Sequence, residues 1–201
     1  MRILKTLGVL LLGLSLLASL AGCLTGGRRG GDSATMAYDL GLPPAVAAGE
    51  TAWQLEVRAP AWLDGSAMIY RLAYADAAQW REFSQARWVA PPAGLLERRL
   101  QRLLGYGAAG KRDGCLLRLE LDEFSQVFTA PQHSHALLQV RARWFDAGRK
   151  PLQVKTLRIE QPVPEGRAAD AQSGVAALVE AVGMLAEQIA AQEKALPAVC
   201  R

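Results

Sequence analysis

The sequence predicts an α+β domain: an antiparallel or mixed β-sheet with two amphipathic helices packed on one face. Three observations predict it. Segments such as 116–122 and 138–144 alternate apolar and polar residues with the period of two of a half-buried strand. Two segments, 92–104 and 168–194, repeat apolar residues at spacings of three and four, as a helix burying one stripe does. Strand-type segments precede each helix-type segment, so β-β-β-α occurs twice in outline, without an internal sequence repeat.

The folded part is expected to begin at Tyr38-Asp39-Leu40. In 53–59, Trp53, Leu55 and Val57 alternate with Gln54, Glu56 and Arg58, and Pro60 ends that strand. Trp62-Leu63-Asp64-Gly65 reads as a turn. Residues 68–73 and 79–88 read as two strands, the second with imperfect alternation around Trp80, Phe83 and Trp88. Pro91-Pro92 opens the first helix, where a missing amide hydrogen costs nothing. Leu95, Leu96, Leu100, Leu103 and Leu104 form its apolar stripe, Glu97, Arg98, Arg99 and Arg102 line the other side, and Gly105 and Gly107 end it.

A long strand follows the connector 111–114. Leu117, Leu119 and Leu121 alternate with Arg118, Glu120 and Asp122, but Phe124 falls out of phase. A bulge near Asp122–Glu123 would restore the inward direction. Residues 129–134 read as a hairpin loop and 135–146 as the return strand. Ala147-Gly148-Arg149 turns the chain into a strand over 154–161, ended by Pro162 and Pro164. In the second helix Val175, Leu178, Val179, Val182, Leu185 and Ile189 share a face, and Pro197 ends it.

The N-terminus carries a different signal. Arg2 and Lys5 precede the apolar run 7–17, which closes on Leu20-Ala21-Gly22-Cys23. A basic start, an apolar centre and a small-residue site are the layout of a secretory signal. Leu-Ala-Gly-Cys resembles the lipobox of bacterial lipoproteins, which implies cleavage before Cys23 and acylation of that cysteine. Residues 1–22 are then the signal peptide, 23–37 the acylated cysteine with a flexible linker containing four glycines, and 38–201 the domain. No apolar run after Cys23 approaches the roughly 20 residues that span a bilayer. Leu24, rather than Asp, follows the cysteine, which favours the periplasmic face of the outer membrane over inner-membrane retention.

Losing Arg2 and Lys5 with the signal lowers the formal charge from +4 to +2. The remaining basic residues are scattered or paired, as at Arg28-Arg29. No basic stripe interleaved with aromatics points to nucleic acid. Cys115 and Cys200 remain beside Cys23. They are either a disulfide or two free thiols, and an oxidising compartment favours the disulfide.

The motifs of common enzymes are missing: no Gly-x-Ser-x-Gly, no phosphate-cradling glycine loop and no His-Glu-x-x-His. His133 and His135, two apart, would share one side of a strand and suit a metal. A hairpin tip accounts for them as solvated loop residues, and no metal or cofactor is predicted. Asp122, Glu123 and Asp146 read as solvent-facing carboxylates at strand ends rather than acid–base catalysts.

The chain resembles the PqiC-like auxiliary lipoproteins of ABC-type intermembrane lipid transport systems. Tyr38-Asp39-Leu40 matches the family's opening Tyr-x-Leu, and Leu55-Glu56-Val57-Arg58-Ala59-Pro60 its first strand. Met68-Ile69-Tyr70-Arg71 is followed by Trp88-x-x-Pro-Pro and a leucine-rich helix, as in the family's Trp-x-x-Pro block. Most specific is Glu123-Phe124-Ser125-Gln126-Val127-Phe128, which matches Glu-Phe-x-Gln-x-Phe. The resemblance covers residues 38–195. The last helix departs from it by lacking a late tryptophan.

The resemblance implies a non-catalytic lipoprotein, held to the membrane through acylated Cys23. Its partner would be the MCE-type substrate-binding protein that works with an ABC permease and ATPase. Lipid contact and homo-oligomerisation are further implications. Phe124, Gln126 and Phe128 have two readings: core packing against a helix, or an edge or groove that receives a partner or lipid. Strand alternation is taken to point Gln126 outward if both phenylalanines point inward. A structural or assembly lipoprotein of an outer-membrane or secretion machine is the alternative function.

Overall fold

The computed structural model describes residues 35–43, 53–108, 114–167, 169–196 and 200. Cys23, the signal segment and the linker up to residue 34 lie outside the described residues. The fold is mixed α+β, and it is organised around one strand.

That strand is β6, Cys115–Ala130. It pairs antiparallel along its whole length with β7, His133–Phe145, from Leu116 opposite Phe145 to Ala130 opposite His133. The connection is only Pro131-Gln132, so most of the loop expected over 129–134 is strand. β8, Pro151–Pro162, pairs antiparallel with β7 and lies at the sheet edge. Proline fits both ends of an edge strand, where a missing amide breaks no ladder bond.

The other edge of β6 is shared. β2, Trp53–Arg58, runs parallel to residues 115–120. β3, Ala67–Leu72, runs parallel to residues 126–128. Residues 121–125 fall between these two ladders. β4, Asp76–Trp88, returns antiparallel to β3 with two register shifts. β1, Met36–Tyr38, adds in parallel to Ala86–Trp88, and β5, Gly107–Ala108, adds in parallel to β2. β1 and β5 are too short to carry a periodic signal, which is why alternation alone does not find them.

The expected bulge is present: the β6–β7 register shifts between Leu121 and Glu123. Across it Leu117, Leu119, Leu121, Phe124, Gln126 and Phe128 stay on one face. They lie opposite Trp144, Ala142, Val140, Leu138, Ala136 and Ser134 of β7. This face is the floor of the core.

Both helices cover it and touch one another. α1, Pro92–Leu104, buries Leu95, Leu96 and Leu100 and packs on β2. It stops where Gly105 takes the left-handed conformation, φ 72°. Glu97, expected on the solvent side, turns back to accept the Val57 N–H at 2.9 Å, satisfying a β2 amide. α2, Ala171–Lys194, packs on β7 and β8. Asp170 and Ser173 form a capping box, which fixes the start at Ala171 rather than at the expected 168. By length and composition α2 is apolar enough to cross a membrane, which corrects the run-length expectation. Its Leu178, Val182, Leu185 and Ile189 are nonetheless buried in the core.

Cys115 and Cys200 are bonded, with Cα atoms 5.8 Å apart, and tie the C-terminal end to the start of β6. The bridge closes a separation of 85 residues. Replacing both cysteines by serine is expected to lower stability by about 4 kcal/mol, from the chain entropy returned to the unfolded state. Urea unfolding of the double variant beside the oxidised parent measures this.

Candidate functional site

The Glu123–Phe128 run lies just past the bulge, where β6 passes from its β2 ladder to its β3 ladder. Phe124 packs against Trp88 of β4, with ring centroids 5.4 Å apart. Phe128 meets Tyr70 edge-on at 5.8 Å, and Tyr70 packs on Phe83 at 4.6 Å. Glu123 faces the other side of the sheet and pairs with Arg71 at 2.9 Å. The run therefore joins the β3–β4 hairpin to the rest of the sheet by rings on one face and an ion pair on the other.

Gln126 corrects the outward expectation. Residues i, i+2 and i+4 of a strand share a side, so Gln126 points inward with both phenylalanines. It is 2 % exposed. Its Nε2 donates to Ser134 Oγ at 2.8 Å, while Oε1 is buried without a hydrogen-bond partner. Oε1 lies against Gly174 in the first turn of α2. The partial positive charge of a helix N-terminus suits a carbonyl oxygen there.

The contact reading of Phe124, Gln126 and Phe128 is likewise corrected. All three are buried among the chain's own elements. An outside partner would reach them only by displacing α2 or the hairpin.

The accessible feature beside the run is a cleft of about 340 Å³ lined by Arg58, Ala59, Pro60, Trp62, Glu120, Leu121 and Asp122. It sits where β2 has ended and β3 has not begun to pair. Its wall carries one guanidinium, two carboxylates and the exposed Trp62. Glu120 is near Arg143 at 3.3 Å and Arg141 at 3.7 Å. Arg58 pairs with Glu56 at 2.5 Å.

Several of the other sequence candidates have structural partners. Asp146 accepts the Lys150 N–H at 2.8 Å and holds the β7–β8 turn. His133 and His135 lie in β7 rather than in a loop, because the hairpin turn is only two residues long. Burial lowers the His135 pKa, opposed by Glu160 at 3.9 Å. Among the described residues no three His, Cys, Asp or Glu side chains are grouped to hold a metal.

One cluster had no sequence signal. Glu193, near the end of α2, accepts from Trp144 Nε1 at 3.4 Å. Burial raises the Glu193 carboxyl above the ordinary range, and the Tyr106 and Trp144 donors oppose that shift. Burial also pushes the Tyr106 hydroxyl up, helped by the charge of Glu193. The Gln126–Gly174 contact did have a signal. A glycine inside a helix costs up to about 1 kcal/mol relative to alanine, so a tight neighbour was there to be sought.

No protein-family model matches the chain, and no curated protein matches it in sequence. Its fold is similar to that of protein XCC0632 from Xanthomonas campestris, described with the family DUF330. The TM-score is 0.62 at 18 % identity, covering 77 % of this chain and 92 % of that one. It is also similar to an uncharacterised protein, with a TM-score of 0.60 at 15 % identity, covering 79 % of this chain and 98 % of that one. At such identities the likeness is one of fold.

Two outcomes follow from the site. A Cβ on Gly174 would overlap Gln126 Oε1 and come within 2.7 Å of its Cδ. Gly174→Ala is therefore expected to destabilise by about 1–3 kcal/mol through overpacking. Gly183→Ala, in the same helix with no neighbour within 4 Å, is expected to stabilise by about 0.5–1 kcal/mol. Adding Gln126→Ala to Gly174→Ala removes the overlap, so a double-mutant cycle in urea should show strong coupling.

Glu193 sets a pH dependence. Its folded pKa is raised above the ordinary 4.5, so the stability it contributes is complete below that value. That stability is lost as pH rises through the folded pKa. Glu193→Gln should match the parent near pH 4 and exceed it in Tm at pH 8, by thermal unfolding across that range.

Proposed function

We propose that this chain is a non-catalytic, membrane-anchored periplasmic lipoprotein, an auxiliary part of an ABC-type MCE system that moves lipid between membranes. The observation that carries the reading is the Glu-Phe-x-Gln-x-Phe run within an α+β domain that follows a lipobox. The lipobox supports the reading of Cys23 as acylated and held on the periplasmic face of a membrane, and Leu24 favours the outer membrane. The run supplies the resemblance to the transport lipoproteins.

Burial of the run shapes the proposal. Phe124 and Phe128 serve to set the β3–β4 hairpin against the body of the sheet. The MCE substrate-binding protein then meets surfaces that these residues position, among them the cleft around Trp62. Its mixed charges suit a protein surface of mixed polarity better than an acyl chain.

The test is affinity purification of the tagged, acylated protein from gently solubilised envelopes, with mass spectrometry of what comes with it. The expected result is an MCE protein with its permease and ATPase. Reproducible recovery of an outer-membrane barrel or a secretion component instead would sink the transport reading. The sequence resemblance would then report fold rather than role.

A further inference from the structure

Tyr74 and Trp80 are large aromatic side chains left exposed on one hairpin. Tyr74 is in the β3–β4 turn and is 49 % exposed; Trp80 stands opposite Arg71 near that turn and is 42 % exposed. Residues 74–82 are exposed throughout. β1 covers β4 only at Ala86–Trp88. The other exposed large apolar side chains, such as Val89, Val154 and Met184, belong to other elements.

The direction of β1 gives this hairpin a neighbour. β1 is parallel to the end of β4, so Met36 stands at the end of β1 that faces the Asp76 end of the hairpin, where the turn lies. Twelve residues, 24–35, separate Cys23 from Met36. Fully extended they reach roughly 45 Å at most. The turn already stands about 17 Å along that direction, the length of β3 at about 3.3 Å per residue. The described chain thus begins on the turn side of the hairpin, and a linker of this length allows the turn to reach the surface that holds the anchor.

We propose that the β3–β4 hairpin rests on the lipid bilayer carrying the anchor, with Tyr74 and Trp80 in the headgroup layer. This rests on the reading of Cys23 as acylated. Tyrosine and tryptophan favour that layer because a polar tip meets water while the ring meets hydrocarbon. Charge is not the driving force: between Tyr74 and Phe83 stand Asp76 and Glu82 against Arg81. The contact orients the domain as well as adding to its hold.

The acylated full-length protein, in phosphatidylcholine vesicles with and without brominated acyl chains, tests the proposal by tryptophan fluorescence. Trp53, Trp88 and Trp144 are buried, which leaves Trp62 and Trp80 open to quenching. The expected result is a bromolipid-dependent loss of emission that disappears in Trp80→Phe and persists in Trp62→Phe. Vesicle flotation, run alongside, reports the anchor. Flotation without quenching, or quenching that follows Trp62, overturns the hairpin contact and leaves the anchor standing. Flotation equal in the parent and in Cys23→Ser overturns the anchor reading, and this proposal with it.

Discussion

β6 is the strand on which every other layer leans, and its bulge keeps that arrangement possible. A side-chain period of two allows no error: one extra residue would turn every later side chain to the wrong face. The shift at Asp122 absorbs that residue. It keeps Leu117–Leu121 under α1 and α2 while Phe124–Phe128 continues the same floor. Without it the two phenylalanines would face the charged side of the sheet, where Glu123 and Arg71 now pair.

The bulge also falls where the neighbouring edge changes hands. β2 leaves β6 at Glu120 and β3 joins at Gln126. The gap is bridged by the chain from Ala59 to Ser66, and the cleft opens there. The Trp88–Phe124 contact and the cleft both lie beside this irregularity. The packing at Gln126 follows: α2 comes close enough that residue 174 has no room for a side chain.

The two faces divide the work. The inner face is largely apolar; Gln126 and Ser134 satisfy one another in part, and Gln153, Lys155 and Gln161 of β8 bond to Gln192 and Glu180 of α2. The outer face carries ion pairs such as Glu56–Arg118 and Glu120–Arg143. Half-buried pairs open to water on one side contribute on the order of 1 kcal/mol each, so most of the stability comes from the covered face and from the Cys115–Cys200 bridge. The outer ladder is better understood as solubility for a broad sheet.

The sequence by itself determined the fold class, the long central hairpin and its bulge, and both helices, because periodicity is a local property of the chain. It also marked Cys23, whose setting is a local motif. The tertiary structure decided the rest. Parallel edges such as β2–β6 and β1–β4 join segments far apart in sequence and have no local signature. Alternation alone puts Gln126 on the side of Phe124 and Phe128, but its contact with Gly174 exists only once α2 is laid over it, and Glu193 reads as a helix-end charge until Trp144 and Tyr106 are brought beside it. Burial is a property of what lies opposite. That is why the run that most marks the resemblance proved to be part of the framework, while the exposed aromatics of the hairpin carry no motif at all.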